Sequence, residues 1–250
     1  QIHTILKAEQ RKLITVLKST PFILTNEGMK CASKFYDPFH TVFSHMCDEG
    51  EFPPAPFNTI NWNSFMKLAG LRTEVTGHMF VEFAEKVARK GAICVTKDVQ
   101  EMSLILIRFL LDSESLTFQT TEYERIAKVK FIPAHIVSNE LISTCKQYSD
   151  CKSLICFSKS IPASFEKLCW TSMSLLPTWA YKESEKWRVL SSKLGVESKP
   201  PIERVILHCQ NICDTQKKVL SGKTPETFST EFLKDVLESI YSYLLQHKNE

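Results

Sequence analysis

Apolar residues recur at three- and four-residue spacing along most of this chain, and that period predicts a helix-rich fold. Leu6, Leu13, Ile14 and Leu17 share one face of an opening helix, which Pro21 must end. A short β-branched and aromatic segment follows, Phe22-Ile23-Leu24, with Val129-Lys130-Phe131-Ile132 as a later counterpart. Each is long enough for only one edge of a small sheet. Ser153 to Phe157 predicts another strand. Thr76 precedes the stripe Phe80, Phe83, Ala84 and Val87; Pro201 precedes Ile202, Val205, Ile206, Cys209, Ile212 and Cys213. Both predict helices with those residues facing inward. Val99 to Leu111 is apolar nearly all round, which predicts central burial. The last helix is expected over Pro225 to His247, with Thr224 as N-cap and Phe228, Phe232, Val236, Ile240 and Leu244 inward.

The pattern is written twice. Trp62 and Trp187 stand 125 residues apart, and so do Gly70 and Gly195, Cys31 and Cys156, Ser33 and Ser158, and Lys34 and Lys159. Apolar positions keep the same step, Phe65 with Leu190 and Phe80 with Val205. Phe22-Ile23 and Phe131-Ile132 are only 109 apart, so the second copy carries about sixteen extra residues around Asn139 to Cys151. A proline loop precedes each Trp, Phe52-Pro53-Pro54-Ala55-Pro56-Phe57 and Leu176-Pro177-Thr178-Trp179. Gly70 and Gly195 are placed to end the Trp-bearing helices as left-handed caps. The expected fold class is mainly α with minor β, as two tandem helix-rich repeat copies packed as one unit. The first covers 1–112 and the second 113–250, with its insertion near 139–151.

Composition narrows the function classes. The chain has 250 residues, 43% of them apolar, enough for a sizeable core. Its 31 Lys+Arg nearly balance 28 Asp+Glu, so no overall field draws it to nucleic acid or an anionic membrane, and neither is expected as a partner. The longest largely apolar stretch, Met102 to Leu111, includes Arg108 and is far short of the roughly 20 residues a membrane span needs. Nine cysteines, an odd number, with no Asn-x-Ser/Thr acceptor, point to reduced thiols and a cytoplasmic location. Opening at Gln1, the chain is expected to be a piece of a larger protein.

Candidate chemistry is thin. Ser221-Gly222-Lys223-Thr224 imitates the end of a phosphate-binding loop, but Lys217 stands where that motif needs glycine. His40, His45 and Cys47, with Cys145, Cys151 and Cys156, could ligate a metal, yet no closely paired C-x₂-C spacing occurs. Cys209 and Cys213 fall on a stripe expected to face inward, where a thiol behaves as a small hydrophobe. His208 beside Cys209 is the nearest thing to a nucleophile pair, without any flanking signature. No catalytic, cofactor-binding or metal-binding residue is therefore assigned. Phe35, Tyr36, Phe39, Phe43, Phe52 and Phe57 interleave with prolines rather than with Lys or Arg, which predicts a packed corner instead of a base-stacking platform. Architectural weight is expected on Tyr36-Asp37-Pro38, Phe52-Pro53, the two tryptophans and the two glycines.

Phe35-Tyr36-Asp37-Pro38, Phe52-Pro53-Pro54 and Leu68-Ala69-Gly70-Leu71-Arg72-Thr73-Glu74-Val75-Thr76, followed by Leu168-Cys169-Trp170-Thr171-Ser172 and Leu175-Leu176-Pro177, form an ordered series. The series resembles the internal repeats of the sacsin family of giant cytosolic chaperone-like proteins. That resemblance implies a segment lying between ATPase-like units of the GHKL heat-shock class, in a scaffold linked to intermediate-filament organisation, protein quality control and a spastic ataxia. The Glu-x-x-x-Asn helix and Asp-x-Gly-x-Gly loop of those units are absent, so no ATP-binding residue carries over. A non-catalytic structural and interaction module is the expectation. Its implied partners are neighbouring domains of the same polypeptide, with client proteins, other chaperones or intermediate filaments as further classes. Two alternatives remain: a cryptic Cys/His hydrolase, and a client-peptide site at the Pro–aromatic corner.

Overall fold

The computed structural model describes residues 2–114, 116–134, 153–177, 185–221 and 230–247, with the backbone alone over 2–10. The chain divides into two compact units, Gln1–Thr76 and Gly77–Glu250. Ten α-helices and six short strands occur among the described residues, so the protein is mainly α with minor β.

In the first unit, helix α1 (Ile2–Ser19) leads into the hairpin β1 (Ile23–Thr25) and β2 (Gly28–Lys30). The strands pair antiparallel, Ile23 opposite Lys30 and Leu24 opposite Met29. Thr25 tightens the turn, its hydroxyl donating to the Gly28 carbonyl at 2.8 Å. Helix α2 (Thr41–Met46) and the Trp62-bearing α3 (Ile60–Leu68) follow. Ile23, Ala32, Phe35, Met66, Ala69 and Leu71 form the core, with Leu17, Phe22, Phe57 and Phe65 packed against it. Leu13 departs from expectation, since it is 60% exposed while Leu17 reaches the core. The side chain of Leu6 lies outside the described residues.

The second unit opens with α4 (Gly77–Ile93) and α5 (Lys97–Asp112), capped by Thr96, whose hydroxyl accepts the Val99 N–H at 3.3 Å. On α5 Val99, Met102, Ser103, Leu106, Ile107 and Leu110 are buried, which bears out central burial, although Glu101 and Arg108 reach solvent. Helix α6 (Thr120–Lys128) leads to β3 (Ile132–Pro133), antiparallel to β4 (Leu154–Ile155). The strand expected over Ser153 to Phe157 is thus two residues long. Strand β5 (Ser160–Pro162) pairs in parallel with β6 (Ser174–Leu176), flanking the short α7 (Glu166–Cys169). Then come α8 (Glu185–Lys193), α9 (Ile202–Leu220) and α10 (Thr230–Gln246). Phe228, the expected cap Thr224 and the insertion at 139–151 lie outside the described residues.

Backbone hydrogen bonds recur with the sequence period. Helices α3 and α8 both run nine residues and start 125 apart. Leu71 N–H donates to Met66 O at 2.9 Å and Val196 N–H to Ser191 O at 3.0 Å; Arg72 N–H donates to Phe35 O at 3.0 Å and Glu197 N–H to Ser160 O at 2.9 Å. Gly70 and Gly195 make both turns, at φ +99° and +70°, a region that glycine enters without Cβ strain. Likewise α1 and α6 each end four residues before the first hairpin strand's isoleucine, Ile23 or Ile132. Strands β3 and β4 stand further apart in sequence than β1 and β2 do.

Two expectations are corrected. Trp187 is 2% exposed and packs on Phe157, ring centres 6.0 Å apart, but Trp62 is 39% exposed. Trp62 lies edge-on to Phe57 and Phe65, a surface aromatic cluster rather than a core anchor. On α9, Val205 and Ile212 are buried while Ile206 is 43% exposed and Cys213 is exposed. The stripe is wider than the surface that covers it.

Candidate functional site

Among the described residues, the buried polar side chains include two connected groups, one in each unit. The first is the Tyr36-Asp37-Pro38 corner. A 3-10 turn over Ala32–Lys34 delivers Phe35 into the core and aligns Tyr36 beside Arg72. Tyr36 N–H donates to Glu51 O at 3.0 Å and Asp37 N–H to Arg72 O at 2.9 Å. The Asp37 side chain is buried; its Oδ1 accepts the Phe39 N–H at 2.9 Å and its Oδ2 pairs with Lys67 Nζ at 2.9 Å. Arg72 donates from Nε to Ser33 O at 2.8 Å and from Nη1 to the Tyr36 hydroxyl at 3.1 Å, with its guanidinium over the Tyr36 ring. Every one of these groups is spent on holding the corner closed. Burial pushes the His40 imidazole below its usual value, against the pull of the Asp37 carboxylate. Beside the corner lies a groove of about 770 Å³, lined by Leu24, Asn26, Pro38, Glu49, Phe52 and Pro54 among others. The Pro–aromatic corner is therefore not wholly buried: Pro53 is, while Phe52 and Pro54 are half-exposed.

The second group centres on His208, fully buried on α9. Thr171 N–H donates to its Nδ1 at 3.3 Å, and the Thr171 hydroxyl lies 2.6 Å from the same atom. An Nδ1 that accepts places the imidazole proton on Nε2. Asn211 donates to the Thr171 hydroxyl at 3.1 Å and carbonyl at 3.3 Å, completing the chain. The Trp170 ring stands nearly perpendicular to the imidazole, centres 4.0 Å apart. Burial pushes His208 down to about 4, only partly opposed by the Lys167 backbone carbonyl, so it is neutral at physiological pH. Sequence spacing pointed to His208 only as a neighbour of Cys209; its real partner, Thr171, lies 37 residues upstream.

The other candidates are scattered. Cys169 is buried, donates to Phe165 O at 3.2 Å and is pushed up to about 12 by burial, which leaves no thiolate near neutral pH. Cys209 is also pushed up, by burial first and then by the adjacent Cys213 thiol. His45 Nδ1 is occupied by Thr41 O at 2.9 Å and Ser44 Oγ at 3.1 Å. Among the described residues no three His, Cys, Asp or Glu side chains gather as metal ligands. Cys145 and Cys151 lie outside those residues, as do Gly222, Lys223 and Thr224. Lys217 lies within α9, so the backbone there is helix and not a phosphate-wrapping loop. No helix among the described residues is long and apolar enough to cross a membrane.

The chain is similar to human sacsin, with 24% identity over 278 aligned residues that cover 90% of this chain and 6% of sacsin. It thus spans only a small part of that relative's length. No family model matches the chain. No solved structure matches it either.

Proposed function

We propose that this chain is a non-catalytic structural and interaction module of a large, cytoplasmic, chaperone-related scaffold of the sacsin kind. Its partners are neighbouring domains of the same polypeptide, and its part in intermediate-filament organisation and protein quality control is to space them. One observation carries this reading: the buried polar residues serve turns and cores. Asp37 closes a corner, and His208 ties α9 to the Trp170-Thr171 turn. Neither lines the groove beside the corner.

Thiol labelling of the folded chain at neutral pH tests it against a hydrolase. Among the described thiols, exposed Cys94 and Cys213 should react first and Cys169 last, and no thiol should react faster than it does in the unfolded chain. A single thiol labelled faster than its unfolded rate would show an activated nucleophile and end this reading. A second reading, capture of client peptide, is favoured by the groove beside Leu24, a side chain 70% exposed. Leu24→Asp should then abolish suppression of aggregation of a reduced model client; equal suppression by the variant removes it.

A further inference from the structure

The internal duplication shows what covers a face of the first copy that the second copy leaves bare. On α4, Gly77, Val81 and Glu85 lie one turn apart along one line. A Cβ on Gly77 would meet Thr117 O at 2.5 Å, and Glu85 pairs with Arg125 at 2.7 Å, so the segment carrying α6 seats along this line. Val81, midway, is 0% exposed. Strand β3 packs against the neighbouring α5, where the Ser103 hydroxyl donates to Phe131 O. The start of one copy thus docks on the helix pair that ends the other.

The matching line on α9 is Ile202, Ile206 and Gln210, and Ile206 is 43% exposed. On α10, which packs against α9, Leu237, Tyr241 and Leu245 are 43%, 65% and 51% exposed. At the other end of the sequence, α1 carries Leu13 and Val16, 60% and 58% exposed, at the positions that Glu122 and Arg125 occupy on α6. Where the internal seat has Glu85 with Arg125, the bare surfaces carry Gln210 and Val16; Glu122 beside Gly77 becomes Leu13 with Ile202. Charge has been exchanged for apolar area on both sides together.

We propose that the α9–α10 face is a docking surface for a second copy of this repeat, engaged head-to-tail through its α1 and β1. The inference rests on the interaction-module reading and gives it a specific partner. Because the two surfaces differ, the contact is heterologous and builds open arrays rather than closed dimers.

Sedimentation of the 250-residue chain up to about 0.5 mM tests it. The wild type should grow steadily in mass with concentration. Ile206→Arg and Val16→Asp, both at solvent-exposed positions, should each keep the wild-type melting profile and weaken association roughly tenfold or more. Mixed together they should form a discrete one-to-one dimer, since one keeps its head and the other its tail. A wild type that stays monomeric overturns the proposal. So does association that the mixture fails to restore, which would show a contact of two like surfaces. Either failure leaves the thiol-labelling result, and hence the non-catalytic reading, standing.

Discussion

At the scale of single residues, the two glycine turns are alike in hydrogen bonding and unlike in tolerance. Gly70 sits at φ +99°, and a Cβ there would meet the Lys18 side chain at 3.3 Å. Gly195 sits at φ +70°, nearer the left-handed well that asparagine also populates, with Ser158 no closer than 3.8 Å. Gly70→Val should therefore cost more than about 1 kcal/mol, in the range of about 1–3 kcal/mol for a strained backbone. Gly195→Asn should cost less than about 1 kcal/mol. Urea midpoints of the two variants check the order; a Gly70→Val protein as stable as the wild type removes the strain argument. These turns were legible in the sequence because glycine at a helix end is a local, backbone-level signal. The polar network was not: Asp37 beside Pro38 reads as a turn, and only the fold brings Lys67 to its carboxylate.

At the scale of elements, amphipathic period placed most helices but not all of their surroundings. Helix α3 ends and α4 starts where the pattern puts them, because Gly70 and Thr76 are punctuation that acts within a turn or two. Strand β2 was illegible: Gly28-Met29-Lys30 lacks β-branched residues and forms a strand only because Ile23 to Thr25 offers a partner edge. The parallel pairing of β5 and β6 was equally hidden, since it joins segments separated by α7. Helix α5 shows how an element is anchored from outside itself. Ser103, a fully buried hydroxyl on an apolar helix, donates to the Phe131 carbonyl. Ser103→Ala should lower stability by about 1–2 kcal/mol, because the buried carbonyl loses that donor. A midpoint shift in chemical denaturation of less than a few tenths of a kcal/mol would show that bond to be energetically idle.

At the scale of the whole molecule, the buried imidazole ties stability to pH. His208 has its pKa moved from the usual 6.5 down to about 4 in the folded protein. The unfolded chain therefore binds a proton that the folded one refuses throughout that window. The resulting stability is complete above about pH 6.5 and is lost as pH falls toward 4, amounting to about 3 kcal/mol. Thermal melts from pH 7 to pH 4 should show this decline. His208→Phe, which places at this position the residue that Phe83 supplies in the first copy, should flatten the His208 part of the slope. An unchanged slope in the variant would place the acid sensitivity elsewhere. This dependence is a consequence of packing, since the histidine is closed off from solvent.

What the amino-acid order determined by itself is the repeated framework: apolar stripes, helix-ending glycines and the 125-residue step, all set by interactions within a few residues of chain. Tertiary structure alone decided which face of each repeated helix is covered. Val81 and Ile206 occupy equivalent places and read identically, yet one is buried and the other is 43% exposed. Periodicity reports that a face is apolar. Whether something lies against it depends on segments distant in sequence, and here α6 reaches the first helix while, among the described residues, Ile206 on the second stays open to solvent.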